Sequence, residues 1–222
     1  MNNSAKKIFA VASLLLFLMN IGLLGTANAQ TISLDGLWEF RFDSGAALED
    51  VANPAFIAND KMLVPGCWDV LPQYLKQRGT AQYRREIVLE QDVVNAWWRV
   101  EGMGLRSEYY IDGRKIGASS LPYSSFELET GPLTAGRHIF TTAVDNRFDG
   151  ETMKMFSPFY DFYAFGGFYH GMSLTVQTTK TQIHRLIVRT LDYRKGEIEL
   201  ELQMSGQKPP SKFSVEVSID GT

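Results

Sequence analysis

Alternation of apolar and polar residues with a period of two runs through most of this chain. In residues 37–42, LWEFRF, Trp38 and Phe40 fall on one side and Glu39 and Arg41 on the other. Such alternation is typical of a β-strand that buries one face. Similar short segments, separated by Gly or Pro, occur at 83–89, 97–100, 108–111, 126–128, 137–144 and 172–178. We therefore predict an antiparallel β-sandwich or jelly roll rather than alternating strands and helices.

Turn residues support this interpretation. Asp112-Gly113 follows an apolar run and precedes Lys115-Ile116, which is the pattern of a hairpin tip. No segment has the length and period of a confident helix; residues 69–76 are expected to form one or two helical turns.

The alternating segments become longer after residue 180. Residues 183–191 and 196–204 read as longer strands, and in the second one Ile198, Leu200, Leu202 and Met204 share a face. Residues 213–219 alternate again. An immunoglobulin-like sandwich needs about seven strands and about 100 residues. We therefore predict a first β-sandwich or jelly-roll domain over 30–180, followed by an incomplete immunoglobulin-like sandwich over 181–222.

The first 29 residues have the features of a signal peptide. Lys6 and Lys7 precede an apolar stretch at 8–24, and Ala27-Asn28-Ala29 has the small-x-small pattern of a cleavage site. A membrane anchor is the alternative, because the stretch is at the short end for a spanning helix. We expect cleavage after Ala29, and a mature protein that is periplasmic or secreted and is not held by the membrane.

Charge and cysteine content exclude several classes of function. The net charge is −3 and no basic stripe is present, so nucleic acid is not an expected partner. Cys67 is the single cysteine, which excludes an intrachain disulfide and a thiolate metal cluster. The three histidines are too far apart in sequence for a metal-ligand pattern. We predict no metal and no cofactor.

Three further sets of residues are given structural interpretations. Asp145, Asn146, Asp149 and Glu151 could bind calcium, but without an ordered ligand pattern they are more simply a solvated acidic loop. Cys67 is expected to be a small buried filler. Arg84 and Arg85 are expected to pair with acids on the sandwich surface.

The stretch DFYAFGGFYHGM, residues 161–172, is the strongest candidate for a functional site. It places Asp161 in front of five aromatic residues and two adjacent glycines. Such a stretch is either a buried structural corner or a wall that holds a ring-shaped ligand. A carboxylate can accept charge-assisted hydrogen bonds from two neighbouring hydroxyls of a pyranose, and glycines allow a sharp turn and a close approach of the backbone.

Taken in order along the chain, several stretches resemble the amino-terminal region of glycoside hydrolase family 2. They are LDGLWEFRFD (34–43), VPGCWD (64–69), QYRREIVL (82–89), YYIDGRKIGASSLPYSSFELE (109–129), GRHIFTTAVDNR (136–147) and the stretch at 161–172. The resemblance implies a galactose-binding-like jelly roll, then an immunoglobulin-like domain that leads to a (β/α)8 catalytic barrel. It also implies that Asp161 reaches the sugar in the barrel's active site, with Phe162 and Tyr163 beside it as substrate-binding residues. The sequence departs from the family at His170, where Arg is usual.

The resemblance also implies which groups these residues do not supply. The family's two catalytic glutamates belong to the barrel, and a barrel needs about 250 residues. Glu197, Glu199 and Glu201 alternate along one strand face and are expected to be solvated, so no catalytic residue is assigned. We therefore expect a non-catalytic part of an exported glycosidase that acts on terminal β-linked sugars, with β-galactosides the first expectation and β-glucuronides the second. Its expected partners are that carbohydrate and the missing barrel, and it is expected to be inactive alone.

Two other classes of function remain open. One is a free-standing carbohydrate-binding module. The other is an interaction protein that offers the edge of its unfinished sandwich to a partner strand.

Overall fold

A computed structural model of the protein describes residues 30–52, 58–147, 164–179 and 181–206. The chain divides into two compact units. Residues 30–176 form the first, called the sandwich unit below. The second contains residues 177–179 and 181–206 and is called the hairpin unit. The predicted signal peptide, 1–29, and the predicted strand at 213–219 lie outside the described residues.

Strands dominate the sandwich unit. They are β1 (Gln30–Ser33), β2 (Gly36–Asp43), β3 (Asp60–Val64), β4 (Gly66–Cys67), β5 (Thr80–Leu89), β6 (Asn95–Val100), β7 (Arg106–Ile111), β8 (Arg114–Ser119), β9 (Phe126–Glu129), β10 (Gly136–Asp145), β11 (Gly167–Phe168) and β12 (Met172–Gln177). Short 3-10 turns occur at Glu49–Ala52, Trp68–Val70 and Pro72–Tyr74. The last two confirm the expected helical turns in 69–76. No α-helix occurs in the described ranges, and the predicted all-β class is confirmed.

The strands form two main sheets. One has the order β3-β2-β5-β10-β7-β8, and the other has the order β1-β12-β6-β9. The longest ladder pairs β5 with β10 in antiparallel register, from Gly136 opposite Leu89 to Asp145 opposite Thr80. A further two-residue ladder joins β4 and β11. Because of the β4–β11 ladder, residues that are far apart in sequence lie close together near the end of the β5–β10 ladder.

Aromatic side chains fill the space between the two main sheets. Trp38 of β2 and Trp98 of β6 are both fully buried, and their rings stack with centroids 6.3 Å apart. Trp98 also contacts Tyr109 and Phe140, at centroid distances of 5.1 Å and 4.9 Å. In β2 the alternation is as predicted, because Trp38 and Phe40 are buried while their neighbours face solvent. The sandwich therefore depends on the aromatic content of its strands, since large rings dominate buried apolar area.

The turn before β2 is fixed by Arg85. Its guanidinium donates to the carbonyl oxygens of Leu34 at 2.8 Å and Asp35 at 2.7 Å. Arg84, its neighbour, forms the expected surface ion pair, with Glu39 at 3.9 Å. The described contacts of Arg85 are instead to backbone carbonyls, and they hold the start of the LDGLWEF segment.

The predicted hairpin tip at Asp112-Gly113 is confirmed. Both residues have positive φ, at 51° and 77°, as a two-residue turn between twisted strands requires. The side chain of Asp112 accepts from the backbone N–H of Ile139 at 2.7 Å and contacts Nδ1 of His138 at 2.6 Å. The hairpin β7–β8 is thereby joined to β10.

The hairpin unit contains β13 (Thr181–Asp192) and β14 (Glu197–Gly206), paired antiparallel. Leu186 lies opposite Leu202 and Val188 opposite Leu200, so one face is apolar. On β14, Glu199 and Glu201 pair with Arg189 at 3.1 Å and 2.8 Å. Glu197 is exposed, as expected of a solvated face, but the side chains of Glu199 and Glu201 are only 19% and 14% exposed, so for these two the expectation of a solvated face was wrong.

The described part of the chain contains no helix that is long and apolar enough to span a membrane.

Candidate functional site

The predicted substrate-binding residues lie outside the described part of the chain; they are Asp161, Phe162 and Tyr163. They fall within 148–163, and the structure describes the residues on either side of this segment, Arg147 and Ala164. The candidate site is therefore defined by the described residues that hold these two flanks.

Gly166 and Gly167 lie against the loop that contains the VPGCWD motif. The ladder between β4 and β11 pairs Gly167 with Cys67 and Phe168 with Gly66. Next to this ladder, the backbone N–H of Trp68 donates to the carbonyl oxygen of Gly166 at 3.0 Å. Two of the stretches quoted for the family resemblance thus meet in space, although about 100 residues separate them in sequence.

Both glycines are required by this packing. A Cβ atom on Gly166 would overlap the indole ring of Trp68, which is itself fully buried. Gly167 has φ +120°, and a Cβ atom there would overlap the carbonyl oxygen of Gly66. At the double glycine the backbone closely approaches the protein's own Trp68 loop, whereas the close approach to a sugar that was expected there stays a prediction.

Asp69 is the acid at the centre of this junction. Its side chain is buried, with 2% exposed, and its oxygens accept from the backbone N–H of Gly166 at 3.1 Å and 3.2 Å. It also accepts from Nδ2 of Asn146 at 3.2 Å. Burial raises the pKa of Asp69, because it disfavours the charged form, while the hydrogen bond from Gly166 acts in the opposite direction.

Arg78 connects the two flanks of the 148–163 segment. Its Nη1 donates to the carbonyl oxygen of Asn146 at 3.1 Å and to the carbonyl oxygen of Ala164. Asn146 is fully buried and continues the β5–β10 ladder, accepting from the N–H of Gly79 at 3.0 Å through its side chain. Arg78, Asp69 and Asn146 are called the flank network below.

The interpretation of a solvated acidic loop was wrong for Asp145. It is 2% exposed, and its carboxylate pairs with Arg106 at 2.9 Å and with Arg147 at 2.8 Å. Two guanidinium groups therefore compensate the buried charge, as buried acids require. The other members of that predicted loop, Asp149 and Glu151, lie outside the described residues.

The described aromatics of the 161–172 stretch divide into core and surface. Phe168 is fully buried and contacts Tyr83 edge to face at 5.2 Å, which confirms a structural corner at this position. Tyr169 stacks on Tyr123 with centroids 5.0 Å apart, and its hydroxyl donates to the carbonyl oxygen of Phe165. Tyr123 and Phe165 are 46% and 38% exposed.

His170, which stands where the family usually has Arg, is exposed. Its imidazole lies beside Gly102, where a Cβ atom would come within 3.2 Å of the ring. The backbone N–H of the preceding residue, Tyr169, donates to the carbonyl oxygen of Gly102 at 3.0 Å. These contacts do not explain why His stands at this position.

The described residues include no group of three or more His, Cys, Asp or Glu side chains that could hold a metal ion. His138 is held instead by Asp112 and by the carbonyl oxygen of Thr134 at 2.8 Å. Cys67 is half-buried rather than buried, and burial raises the pKa of its thiol to about 11. At neutral pH this thiol is protonated and therefore unreactive.

The flank network was not predicted from the sequence. Asp69 and Asn146 each lie in a stretch that carries the family resemblance, VPGCWD and GRHIFTTAVDNR, but both look like ordinary loop residues there. A pattern that could have pointed to them is a polar residue directly after an apolar strand, at the edge where two strands end. For Arg78 no local pattern exists, because its two partners are carbonyl oxygens.

No family model matches the sequence. Among curated proteins, the chain is 27% identical over 146 residues to a protein of Formosa agariphila named "Putative beta-glucuronidase", covering 62% of this chain and 17% of that protein.

Solved structures give likenesses over most of the chain. A β-glucuronidase of an uncultured Clostridium species is 21% identical with a TM-score of 0.65, covering 86% of this chain and 36% of that one. A GH2 β-galacturonidase of Eisenbergiella tayi is 20% identical with a TM-score of 0.59, covering 76% and 28%. The β-glucuronidase of Bifidobacterium dentium, solved with coumarin-3-O-glucuronide, is 20% identical with a TM-score of 0.62, covering 80% and 36%.

The chain spans about a sixth of the length of its curated relative and about a third of these solved chains. At these identities the structural likeness is one of fold. It confirms that the chain has the β-sandwich fold of part of the glycoside hydrolase family 2 β-glucuronidases and β-galacturonidases, as the sequence resemblance predicted.

Proposed function

We propose that this chain is the sugar-binding, non-catalytic part of a family 2 glycoside hydrolase that removes terminal β-linked uronic acids. The observation that carries the proposal is the fold likeness, which extends over 76–86% of the chain to enzymes named for β-glucuronides or β-galacturonides. The order of the quoted motifs supports it, because two of them meet at the β4–β11 ladder.

The proposed sugar class differs from the first expectation drawn from sequence. Sequence reasoning placed β-galactosides first and β-glucuronides second. The names of the relatives favour the second, because they specify glucuronides and galacturonides. Among the described residues no feature distinguishes these sugars.

Asp161 is the residue proposed to contact the sugar, with Phe162 and Tyr163 beside it. An ionised carboxylate accepts two adjacent ring hydroxyls in strong hydrogen bonds, and aromatic rings cover the apolar face of a pyranose. Asp161 precedes Ala164 by three residues, and Ala164 is fully buried with its carbonyl oxygen bound by Arg78. A firmly held flank of this kind supports a precise contact.

The proposal also covers the source of the catalytic residues, the location of the protein and its partners. The catalytic acid and nucleophile would come from a barrel, whose two carboxylates must be about 5 Å apart for retaining hydrolysis. The leader-like residues 1–29 support export to the periplasm or the medium. The proposed partners of this chain are the barrel and a terminal β-linked sugar.

We expect the purified chain to bind uronic acids weakly. About two net hydrogen bonds of roughly 1.5–3 kcal/mol each are opposed by an association cost of at least about 4 kcal/mol, so dissociation constants should be millimolar or weaker. NMR titration with glucuronate, galacturonate, galactose and glucose at constant ionic strength measures the order. Acetate serves as the control for a simple carboxylate effect.

A preference for galactose over both uronates would contradict the proposed sugar class. Micromolar affinity for any of these sugars, or for short β-linked oligosaccharides, would favour an independent carbohydrate-binding module. Aryl β-glucuronides added to the same samples should release no aglycone.

A further inference from the structure

His138 of β10 has a hydrogen-bond acceptor on each side of its ring. Nδ1 lies 2.6 Å from the carboxylate of Asp112, and Nε2 lies 2.8 Å from the carbonyl oxygen of Thr134. The side chain is 8% exposed, so water has little access to either nitrogen. Both distances are those of hydrogen bonds, and the ring must be the donor in each, because a backbone carbonyl and an ionised carboxylate can only accept.

A neutral imidazole does not satisfy this arrangement. It carries one N–H and one lone pair, so it can donate to Asp112 or to Thr134 but not to both. In the neutral form, a nitrogen lone pair would therefore face an oxygen lone pair at hydrogen-bond distance, which leaves a buried acceptor unsatisfied. The imidazolium form donates from both nitrogens, so the described geometry is that of the protonated ring.

Asp112 is held in place by contacts that do not involve the ring. Its carboxylate accepts from the backbone N–H of Ile139 at 2.7 Å, and its own backbone N–H donates to the carbonyl oxygen of Ile139 at 2.9 Å. It also begins the turn of the β7–β8 hairpin, with φ at 51°. The carboxylate is thus a preformed partner for an imidazolium, and the ring connects the hairpin tip, β10 and the loop before β10.

Asp112 is the charged group in contact with the ring, and charged side chains on the neighbouring elements have described partners elsewhere. Arg85 of β5 donates to Leu34 and Asp35, Arg114 of β8 donates to the carbonyl oxygen of Thr130, Asp92 accepts from the N–H of Ala135, and Glu86 of β5 pairs with Arg137. Burial alone would lower the pKa of His138, but the bonds to Thr134 and Asp112 and the charge of Asp112 outweigh it and raise that pKa.

We propose that His138 is a proton-dependent clip, which ties the β7–β8 hairpin tip and the loop before β10 to the sheet when the ring is protonated and loses one of these ties when it is neutral. Because a carboxylate is the stronger acceptor, the neutral ring keeps Asp112 and releases Thr134. The clip belongs to the sandwich itself and does not depend on the proposed sugar binding.

The direction of the pH dependence follows from the two states of the chain. The pKa of His138 is higher in the folded chain than its ordinary value of 6.5, which applies to the unfolded chain. The clip therefore contributes its full stability below about pH 6.5 and loses it as the pH rises through the folded value.

A pH titration of the ring nitrogens of His138, by 1H–15N NMR of the 222-residue chain, tests the protonation state. At about pH 6 both nitrogens should carry a proton, and the titration midpoint should lie above that of the same residue in the urea-unfolded chain. His138→Gln assigns the signals, because they disappear in this variant. A ring with a single proton at about pH 6, or a midpoint at or below the unfolded value, would refute the clip.

Asp112→Asn tests the identity of the partner. Asparagine tolerates a positive φ as aspartate does, so the turn is kept while the charge is lost. The midpoint of His138 should fall by about one pH unit. Asp92→Asn is the matched control, because Asp92 lies near the same loop but binds the N–H of Ala135 at 2.7 Å. It should leave the midpoint unchanged, and equal shifts in the two variants would rule out Asp112 as the partner and with it the clip.

Urea unfolding at about pH 6 and about pH 9 tests the effect on the fold. Between these values the equilibrium constant of unfolding should rise at least about three times as much in the wild type as in His138→Gln, which has no proton to lose. The same pH dependence in both chains would overturn the clip. If His138→Gln does not fold, Asp112→Asn replaces it in this comparison, and the ring titration of the wild type still decides the protonation state.

Discussion

Replacing Trp98 by alanine is expected to lower the free energy of unfolding of the sandwich unit by about 3–5 kcal/mol. Trp98 is fully buried between the two main sheets and contacts Trp38, Tyr109 and Phe140. The substitution removes the ring from the centre of the core, and the neighbouring rings are too constrained to fill the cavity. The lost ring contacts, worth about 0.5–1.5 kcal/mol each, are part of this total.

Urea denaturation followed by far-UV circular dichroism measures this change. Leu37→Ala is the matched control, because Leu37 is in β2 of the same sandwich but is 52% exposed. The control should change stability by no more than about 0.5 kcal/mol. Equal effects of the two substitutions would show that Trp98 does not occupy the core described here.

Replacing Gly166 by alanine is expected to destabilise the sandwich unit by about 1–3 kcal/mol, an unusually large effect for the addition of one methyl group. The new Cβ atom would overlap the buried ring of Trp68. To avoid the overlap, the backbone must move away from the loop and weaken the bond between Trp68 N–H and the Gly166 carbonyl oxygen. Gly45→Ala is the control, because a Cβ atom there meets Asp43 at an ordinary distance of 3.6 Å.

A double-mutant cycle identifies the cause of this effect. If the overlap with Trp68 is responsible, Gly166→Ala should cost about 1–3 kcal/mol less in a Trp68→Ala background than in the wild type. Additive effects of the two substitutions would place the strain elsewhere and contradict the described packing of the double glycine.

Local patterns were sufficient to predict the long strands. The alternation that places Trp38 and Phe40 on one face of β2 is a property of adjacent residues, and so is the Asp112-Gly113 turn. Both follow from rules of period and φ that need no knowledge of the partner strand. The aromatic corner was also predicted, and Phe168 occupies it.

The junction at the flanks of the 148–163 segment could not be predicted in this way. β4 and β11 contain two residues each, which is too short for any period to appear. Asp69 is buried because its carboxylate accepts a hydrogen bond from the N–H of Gly166, which lies 97 positions away in the chain. Asp145 looked solvated because an acid in a loop usually is, but it ends strand β10 and pairs with Arg106 of β7 as well as with Arg147, two residues further along the chain. Burial at such sites is decided by long-range pairing, which neighbouring residues do not encode.

Asp161 is the residue that the sequence resemblance implies for the proposed sugar contact. If it is the contacting carboxylate, its removal should abolish sugar binding while leaving the sandwich folded. Asp161→Asn keeps the shape but loses the charge, so it should retain part of the affinity. Asp161→Ala should retain none.

The most direct measurement is therefore a glucuronate titration of the wild-type chain and of Asp161→Ala, followed by 1H–15N NMR under identical conditions. We predict saturable shift changes in the wild type with a dissociation constant that is millimolar or weaker, and their loss in Asp161→Ala with the remaining spectrum unchanged. Binding of micromolar strength that survives in Asp161→Ala would contradict the assignment of this chain as the sugar-binding part of a family 2 glycoside hydrolase.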